Sequence, residues 1–265
     1  MPMPQMGTNA SKYQTDAVSA FLAGKPYQSK WQSYFSRVRF TSNGGGAGAP
    51  YTITQGKYVT AFGYAQGGDA TAGGLPGYQA TPADTNLQTA NQTVAGEAVA
   101  VHGIGIILLS SSDAVLAKTI DPNVSVTLKI NGGTSYYMGT PSMVPGPGGL
   151  MGYSDSGTVF PDQLSAFGFV GAMSNGLPHA TNYFPFPEPM VWAPAGQGDS
   201  NWSLILKLEN AVSTPAYLAG AARAAVAGGA TTSGTAAYTP PATSTVFVDY
   251  MVVLVGKTLN PLSSN

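Results

Sequence analysis

The sequence is poor in charged residues. Asp, Glu, Lys and Arg make up 9 % of its 265 residues, whereas about a quarter of the residues of an ordinary soluble domain are charged. The formal net charge is −1, so electrostatic repulsion between copies of the chain is weak. A protein surface with so few charged groups is tolerated most readily when neighbouring molecules cover it. We therefore predict a subunit of a large ordered assembly.

Cysteine is absent, which excludes disulfide frameworks, thiolate metal sites and cysteine nucleophiles. Long hydrophobic runs are absent too. The longest, Ile104 to Leu109 and Val246 to Gly256, are far shorter than the roughly 20 residues of a membrane-spanning helix. The opening residues, MPMPQMGTNASKYQ, lack the basic residue and apolar core of a secretory signal. The chain is therefore either made and used in the cytoplasm or already processed, and the initial Met1 favours the first.

Recognisable catalytic motifs are also missing. The chain contains no GxSxG, HExxH, SxxK or phosphate-binding loop sequence. Its two histidines, His102 and His179, lie in an apolar run and in a loop, where a packed or hydrogen-bonded histidine is more common than a catalytic base. We predict that the protein is not an enzyme and holds no cofactor. Asp-containing loops such as Gly67 to Asp69 and Gly198 to Asn201 leave a structural calcium ion as the alternative.

The N-terminal 38 residues form a predicted amphipathic arm. Apolar residues recur at helical spacing over Ser11 to Leu22 and over Ser29 to Val38, which predicts two short helices. Helices of this length are marginal alone, so their apolar sides must dock on the domain's own β surface or on a neighbouring subunit. The predicted docking residues are Tyr13, Phe21, Leu22, Trp31, Tyr34 and Phe35.

The positive charge is concentrated in the same region. Residues 1 to 40 carry five Lys or Arg against one Asp, a net charge of +4, whereas residues 41 to 265 carry 6 against 11, a net charge of −5. The five basic residues are Lys12, Lys25, Lys30, Arg37 and Arg39. They either face water or face an anionic partner such as phospholipid headgroups or nucleic acid.

Residues 39–265 read as one β domain. Asn123 to Ile130 alternates cleanly and is followed by Asn131-Gly132-Gly133 and by TSYYMG, which predicts a β-hairpin. Thr93 to Val101 and Gly103 to Ser110 are predicted as a strand pair, and Trp202 to Glu209 as a further strand. Thr245 to Val255 carries apolar residues on both faces of the predicted strand, apart from one Asp. This pattern is typical of a central strand. About ten strands with long loops favour an antiparallel sandwich or jelly roll.

The basic arm, the charge-poor domain punctuated by Gly and Pro, and the final strand TVFVDYMVVLVG together resemble the major capsid proteins of tailless, icosahedral, lipid-containing bacteriophages of the corticovirus- and tectivirus-like group. The resemblance implies a viral structural protein of the virion that forms homotrimeric capsomers from upright jelly rolls, two per chain. Its partners would be other copies of itself, other virion proteins, and an internal membrane or genome on the inner face. About ten strands fit one jelly roll with long insertions better than two, although residues 140–187 leave room for a division into two barrels.

A lectin-like or fibre β-sandwich that binds carbohydrate is the competing interpretation. It rests on aromatic residues that the sequence places in or near loops. These are Tyr136, Tyr137, Tyr153, Phe160, Tyr183, Phe184, Phe186 and Trp192. Aromatic residues are equally typical of subunit contacts, which is the interpretation that we favour.

Overall fold

The computed structural model describes residues 27–43, 51–92, 97–109, 114–130, 134–144, 152–154, 172–174, 183–192, 202–213 and 247–261. The strands are β1 (Tyr27–Thr41), β2 (Thr52–Ile53), β3 (Tyr58–Ala61), β4 (Ala98–Leu108), β5 (Val124–Ile130), β6 (Thr134–Gly139), β7 (Gly152–Ser154), β8 (Ala172–Ser174), β9 (Phe184–Trp192), β10 (Trp202–Leu208), β11 (Val212–Ser213) and β12 (Phe247–Pro261). One α-helix, α1 (Ala114–Ile120), and 3-10 turns at Thr71–Gly73, Asp121–Asn123 and Pro141–Met143 accompany them.

Eight strands form two four-stranded sheets. The first sheet has the order β1-β12-β4-β9 and the second the order β3-β10-β5-β6, and every neighbouring pair is antiparallel. Two small sheets, β2-β11 and β7-β8, lie outside this arrangement. The prediction of an all-β chain is confirmed.

The core lies between the two sheets, because side chains of alternate residues along each strand point to opposite sides. On β12, Val248, Tyr250, Val252 and Leu254 are fully buried. The opposite sheet contributes residues such as Leu204, and two tryptophans complete the core. Trp192 of β9 and Trp202 of β10 stack with ring centroids 4.5 Å apart. The two sheets are therefore joined by a continuous apolar layer.

The helix predicted over Ser29 to Val38 is wrong, because these residues belong to strand β1. All fifteen residues of β1 pair with β12, from Tyr27 opposite Pro261 to Thr41 opposite Phe247. Pairing over this length supplies backbone hydrogen bonds that a short isolated helix cannot match. The predicted domain boundary after Val38 consequently falls inside a strand. The other predicted helix, Ser11 to Leu22, lies outside the described residues.

Other strand predictions have mixed outcomes. The hairpin is confirmed as β5 and β6, and the predicted central strand is confirmed as β12, which lies between β1 and β4. The strand pair predicted around Gly103 is wrong, because β4 runs through this residue without a turn. Gly103 instead lies at a register shift between β4 and β9, and a Cβ there would collide with the ring of Tyr183. The glycine is needed for close packing.

Candidate interaction surface

The outward side of the first sheet carries an apolar patch beside the charged residues Arg37, Arg39 and Asp249. We call this surface the apolar outer face, and its residues are Phe35, Ile107, Met251, Val253 and Val255. The strand register places them side by side, with Phe35 opposite Val253 and Met251 opposite Ile107. Val253 is 8 % exposed and the other four are half-buried. An antiparallel sheet that faces water usually carries polar residues on that side, so the apolar outer face departs from the usual pattern.

The second sheet shows the usual pattern on its outward side. Ile205 is its apolar exception, flanked in register by Thr60 and Thr127. The remaining outward residues are Tyr58, Ser125, Lys129, Ser135, Tyr137, Ser203 and Lys207. The two outward sides of the molecule thus differ in chemistry, and the first sheet supplies the apolar one.

An aromatic cluster lies near one end of the apolar outer face. Trp31 is 58 % exposed, and its ring centroid lies 5.1 Å from that of His102. The Nζ atom of Lys257 lies 4.7 Å from the same tryptophan ring, within the range of a cation–π contact. Burial and the charge of Lys257 lower the pKa of His102, so the histidine is neutral at pH 7.

A buried carboxylate organises the other end of β1. The side chain of Asp249 is fully buried and accepts hydrogen bonds from Arg37 Nη2 at 2.5 Å and from Arg39 Nε and Nη2 at 2.6 and 2.8 Å. Arg37 Nη1 also donates to Asp84 Oδ1 at 3.2 Å. The guanidinium of Arg39 lies over the ring of Phe247, 3.7 Å from its centroid. We call Arg37, Arg39, Asp84 and Asp249 the ion network.

The ion network attaches the loop between β3 and β4 to the sheet. Asp84 Oδ2 accepts hydrogen bonds from the Tyr78 hydroxyl at 3.0 Å and from the Thr81 N–H and hydroxyl at 2.9 and 2.6 Å. The Tyr64 hydroxyl donates to the Arg37 carbonyl, and burial raises the pKa of Tyr64 to about 12. Because its charges satisfy one another inside the subunit, the network has a structural role.

The pKa values of the two acids follow from these contacts. Burial alone would raise the pKa of Asp249, but hydrogen bonds from Arg39 and Arg37 outweigh it and hold the pKa below its ordinary value. For Asp84, burial is likewise outweighed by hydrogen bonds from Thr81, Tyr78 and Arg37. Both carboxylates therefore favour the charged form more strongly in the folded chain than in the unfolded chain.

We expect acid to destabilise the protein through this network. A depressed folded-state pKa contributes stability above the ordinary carboxylate pKa, and the contribution is lost as the pH falls through the depressed value. In urea titrations, the free energy of unfolding should be nearly constant above about pH 5 and fall below about pH 4. The free energy of unfolding of the Asp249→Asn variant should fall less steeply over the same pH range. Equal slopes for the two proteins would contradict this assignment. Burial raises the pKa of Asp121, but this opposing contribution is common to both proteins.

The predicted arm residues have several locations. Trp31 and Phe35 lie on the outward side of the first sheet, whereas Tyr34 is buried in the core of its own domain. Lys30 is exposed on β1. The charges of Arg37 and Arg39 are matched by Asp84 and Asp249, so they are not free to bind an anionic layer. The remaining predicted residues lie outside the described ranges: Lys12, Tyr13, Phe21, Leu22 and Lys25.

The described aromatic residues among those considered for carbohydrate binding do not converge on one loop. Phe186 and Trp192 are buried in the core, and Tyr136 and Phe184 pack against it. Only Tyr137 among the described members is strongly exposed, on strand β6. The ring of Tyr183 packs against Gly103. The side chain of Tyr153, with Phe160 and His179, belongs to the part of the chain that is not described.

No metal-binding group of three or more His, Asp or Glu residues occurs among the described residues. In the loop suggested for calcium, the carboxylate of Asp69 accepts hydrogen bonds from the Thr71 N–H and hydroxyl, while the loop at residues 198–201 is not described. Within the described ranges, no helix is long and apolar enough to cross a membrane. Comparisons of the chain with protein-family models, curated proteins and solved structures find no match.

Proposed function

We propose that this chain is the structural subunit of an icosahedral virus capsid and that its domain is a single jelly roll. A jelly roll is a folded antiparallel ribbon in which strand one pairs with eight, two with seven, three with six and four with five. Counting the eight strands of the two large sheets in chain order, β1 pairs with β12, β3 with β10, β4 with β9 and β5 with β6. All four pairings of the ribbon are present, which supports one barrel; two would need about sixteen strands.

The jelly-roll fold alone does not identify the function, since lectins and cupins have the same fold. The observation that carries the proposal is the apolar outer face on a chain with 9 % charged residues. Apolar side chains are arranged there in register across three strands, where a monomer would place polar residues. A shell subunit buries such a face against its neighbours, in homotrimeric capsomers and between them. The scattered positions of the described aromatic residues give the carbohydrate-binding alternative less support.

The basic N-terminal segment would contact an anionic layer inside the shell. Tyr27 lies opposite Pro261, so the first residue of β1 and the last residue of β12 lie at the same end of the first sheet. Lys30, Trp31 and Lys257 lie close to that end, and Lys12 and Lys25 precede it in the sequence. Membrane headgroups or the genome would supply the negative charge.

Salt dependence tests how the subunits are held together. Raising the salt concentration from about 0.1 to about 1 M shortens the screening length from roughly 10 to 3 Å. Because the proposed lateral contacts are apolar and hydrogen-bonded, the size of the assembled oligomer measured by light scattering should hardly change. Binding of the assembly to anionic vesicles or to nucleic acid should weaken over the same range. Steady dissociation of the oligomer with added salt would show that charge pairs hold it together, against this proposal.

A further inference from the structure

The two sheets have four edge strands, and three of them are protected against pairing with another chain. An unprotected edge presents free N–H and C=O groups that can add a strand. Beside residues 33–37 of β1, the segment 84–86 takes the place of a neighbouring strand. The preceding part of β1 carries the exposed Lys30, and a lysine on an edge strand disfavours strand addition. Arg37 N donates to the Asp84 carbonyl at 2.7 Å, Phe35 N donates to Asn86 Oδ1 at 2.9 Å, and Ser36 forms a bridge with Thr85.

The edges at β9 and β3 are protected by other means. β9 contains Pro185, Pro187 and Pro189 within nine residues, and proline has no N–H to donate to an added strand. β3 is only four residues long, and the next residue, Phe62, donates its N–H to Ser36 Oγ of the first sheet at 2.9 Å. Neither edge offers a usable row of hydrogen-bonding groups.

Among the described residues, the edge at β6 has none of these devices. Its six residues, TSYYMG, include no proline and no charged residue, and within the described ranges its only paired neighbour is β5. Ser135 is exposed and Tyr137 is 68 % exposed, so the outward side of this strand is accessible. An edge left open while the other three are closed is expected to be covered in the working form of the protein.

We propose that β6 of one subunit pairs antiparallel with β6 of a second copy, joining two second sheets into one continuous eight-stranded sheet across a twofold axis. When two identical strands pair antiparallel, the same backbone N–H and C=O groups form hydrogen bonds in both copies. Since β6 is uncharged, the two strands do not repel each other, and the exposed Tyr137 side chains lie on the same side of the joined sheet, where aromatic residues on paired strands attract. The inference rests on the proposed function, because it names one contact by which shell subunits associate.

The test uses two exposed tyrosines on opposite edges of the second sheet. Tyr137 of β6 and Tyr58 of β3 are 68 % and 64 % exposed, so a lysine at either position should leave the fold intact. Lysine on an edge strand disfavours strand addition. In sedimentation velocity, Tyr137→Lys should lose the contact and shift the protein towards smaller species, while Tyr58→Lys should sediment like the unmodified chain. Equal behaviour of the two variants would overturn the proposal.

Cross-linking identifies the partner strand, since the chain has no cysteine of its own. A short bismaleimide should link Tyr137→Cys subunits into dimers and should not link Tyr58→Cys subunits. If Tyr137→Lys dissociates the protein but Tyr137→Cys does not cross-link, β6 contacts a different part of the second copy and the proposed pairing is wrong. If Tyr137→Lys assembles normally, the proposed β6 pairing is wrong, but the proposal that the chain self-associates is not affected. An unmodified chain that is monomeric throughout would overturn both this inference and the proposed function.

Discussion

Replacing Val248 with Asp should prevent folding. Val248 is fully buried on the core side of β12, opposite Phe40 of β1, and no cation lies on that side of the strand at this position in the register. A buried, unpaired charge costs several kcal/mol, whether it stays charged or takes up a proton. The whole free energy of unfolding of a domain is about 5–15 kcal/mol. Circular dichroism and urea titration should show no cooperative transition for this variant.

A matched control lies on the opposite side of the same strand. Met251 belongs to the apolar outer face, is half-buried, and lies opposite Arg37 in the register. Met251→Asp should therefore retain a cooperative unfolding transition while assembling less well than the unmodified chain. A native-like Val248→Asp protein would contradict the placement of the core between the two sheets.

Replacing Asp249 with Ala should destabilise the fold by about 3–5 kcal/mol, the usual cost of removing one partner from a buried ion pair. The change leaves Arg37 and Arg39, whose side chains are 22 % and 23 % exposed, without their shared acceptor. Partial access to water should bring the cost towards the lower end of that range. The measurement is the free energy of unfolding in urea at pH 7.

The control for this prediction is an ion pair at the surface. Lys207 Nζ and Glu209 Oε2 are 2.9 Å apart, and both side chains are about half exposed. Because exposed pairs are screened by water, Lys207→Ala should leave the unfolding midpoint nearly unchanged. Similar losses for Lys207→Ala and Asp249→Ala would show that burial does not strengthen the ion network.

Local sequence patterns were sufficient for several elements of the fold. The alternation in NVSVTLKI and the following Asn-Gly turn identify β5 and β6, and the apolar run that ends the domain identifies β12. The same rules failed for β1. Tyr34, Phe35 and Val38 satisfy a helical spacing, whereas Tyr34, Val38 and Phe40 satisfy strand alternation, and only the long-range pairing with β12 decides between them.

Glycine and proline misled the prediction for a different reason. The local sequence around Gly103 predicts a turn. In the structure, Gly103 lies inside a continuous strand, where the absence of a side chain allows close packing against Tyr183. Pro185 and Pro187 belong to the segment 140–187, which the sequence predicts as a long loop, although proline is tolerated on an edge strand. Within β9 they mark an edge that must not accept a further strand.

The ion network could not be derived from local sequence. Arg37 and Asp249 are 212 positions apart and meet only because β1 and β12 are neighbours. The sequence did hold one signal, since Asp249 is the single charged residue in TVFVDYMVVLV. A buried carboxylate usually has a cationic partner, and five of the chain's 11 Lys and Arg residues lie within the first 40 residues.

Electron microscopy of the purified full-length chain tests the central claim most directly, because the claim is that the protein tiles a closed surface. Negatively stained samples at neutral pH, examined over a range of protein concentrations, should contain trimeric capsomers, sheets or closed shells. Subunit outlines in averaged images should fit one two-sheet barrel per chain. A monodisperse monomer at all concentrations, especially one that binds glycans, would contradict the account and favour the lectin-like alternative.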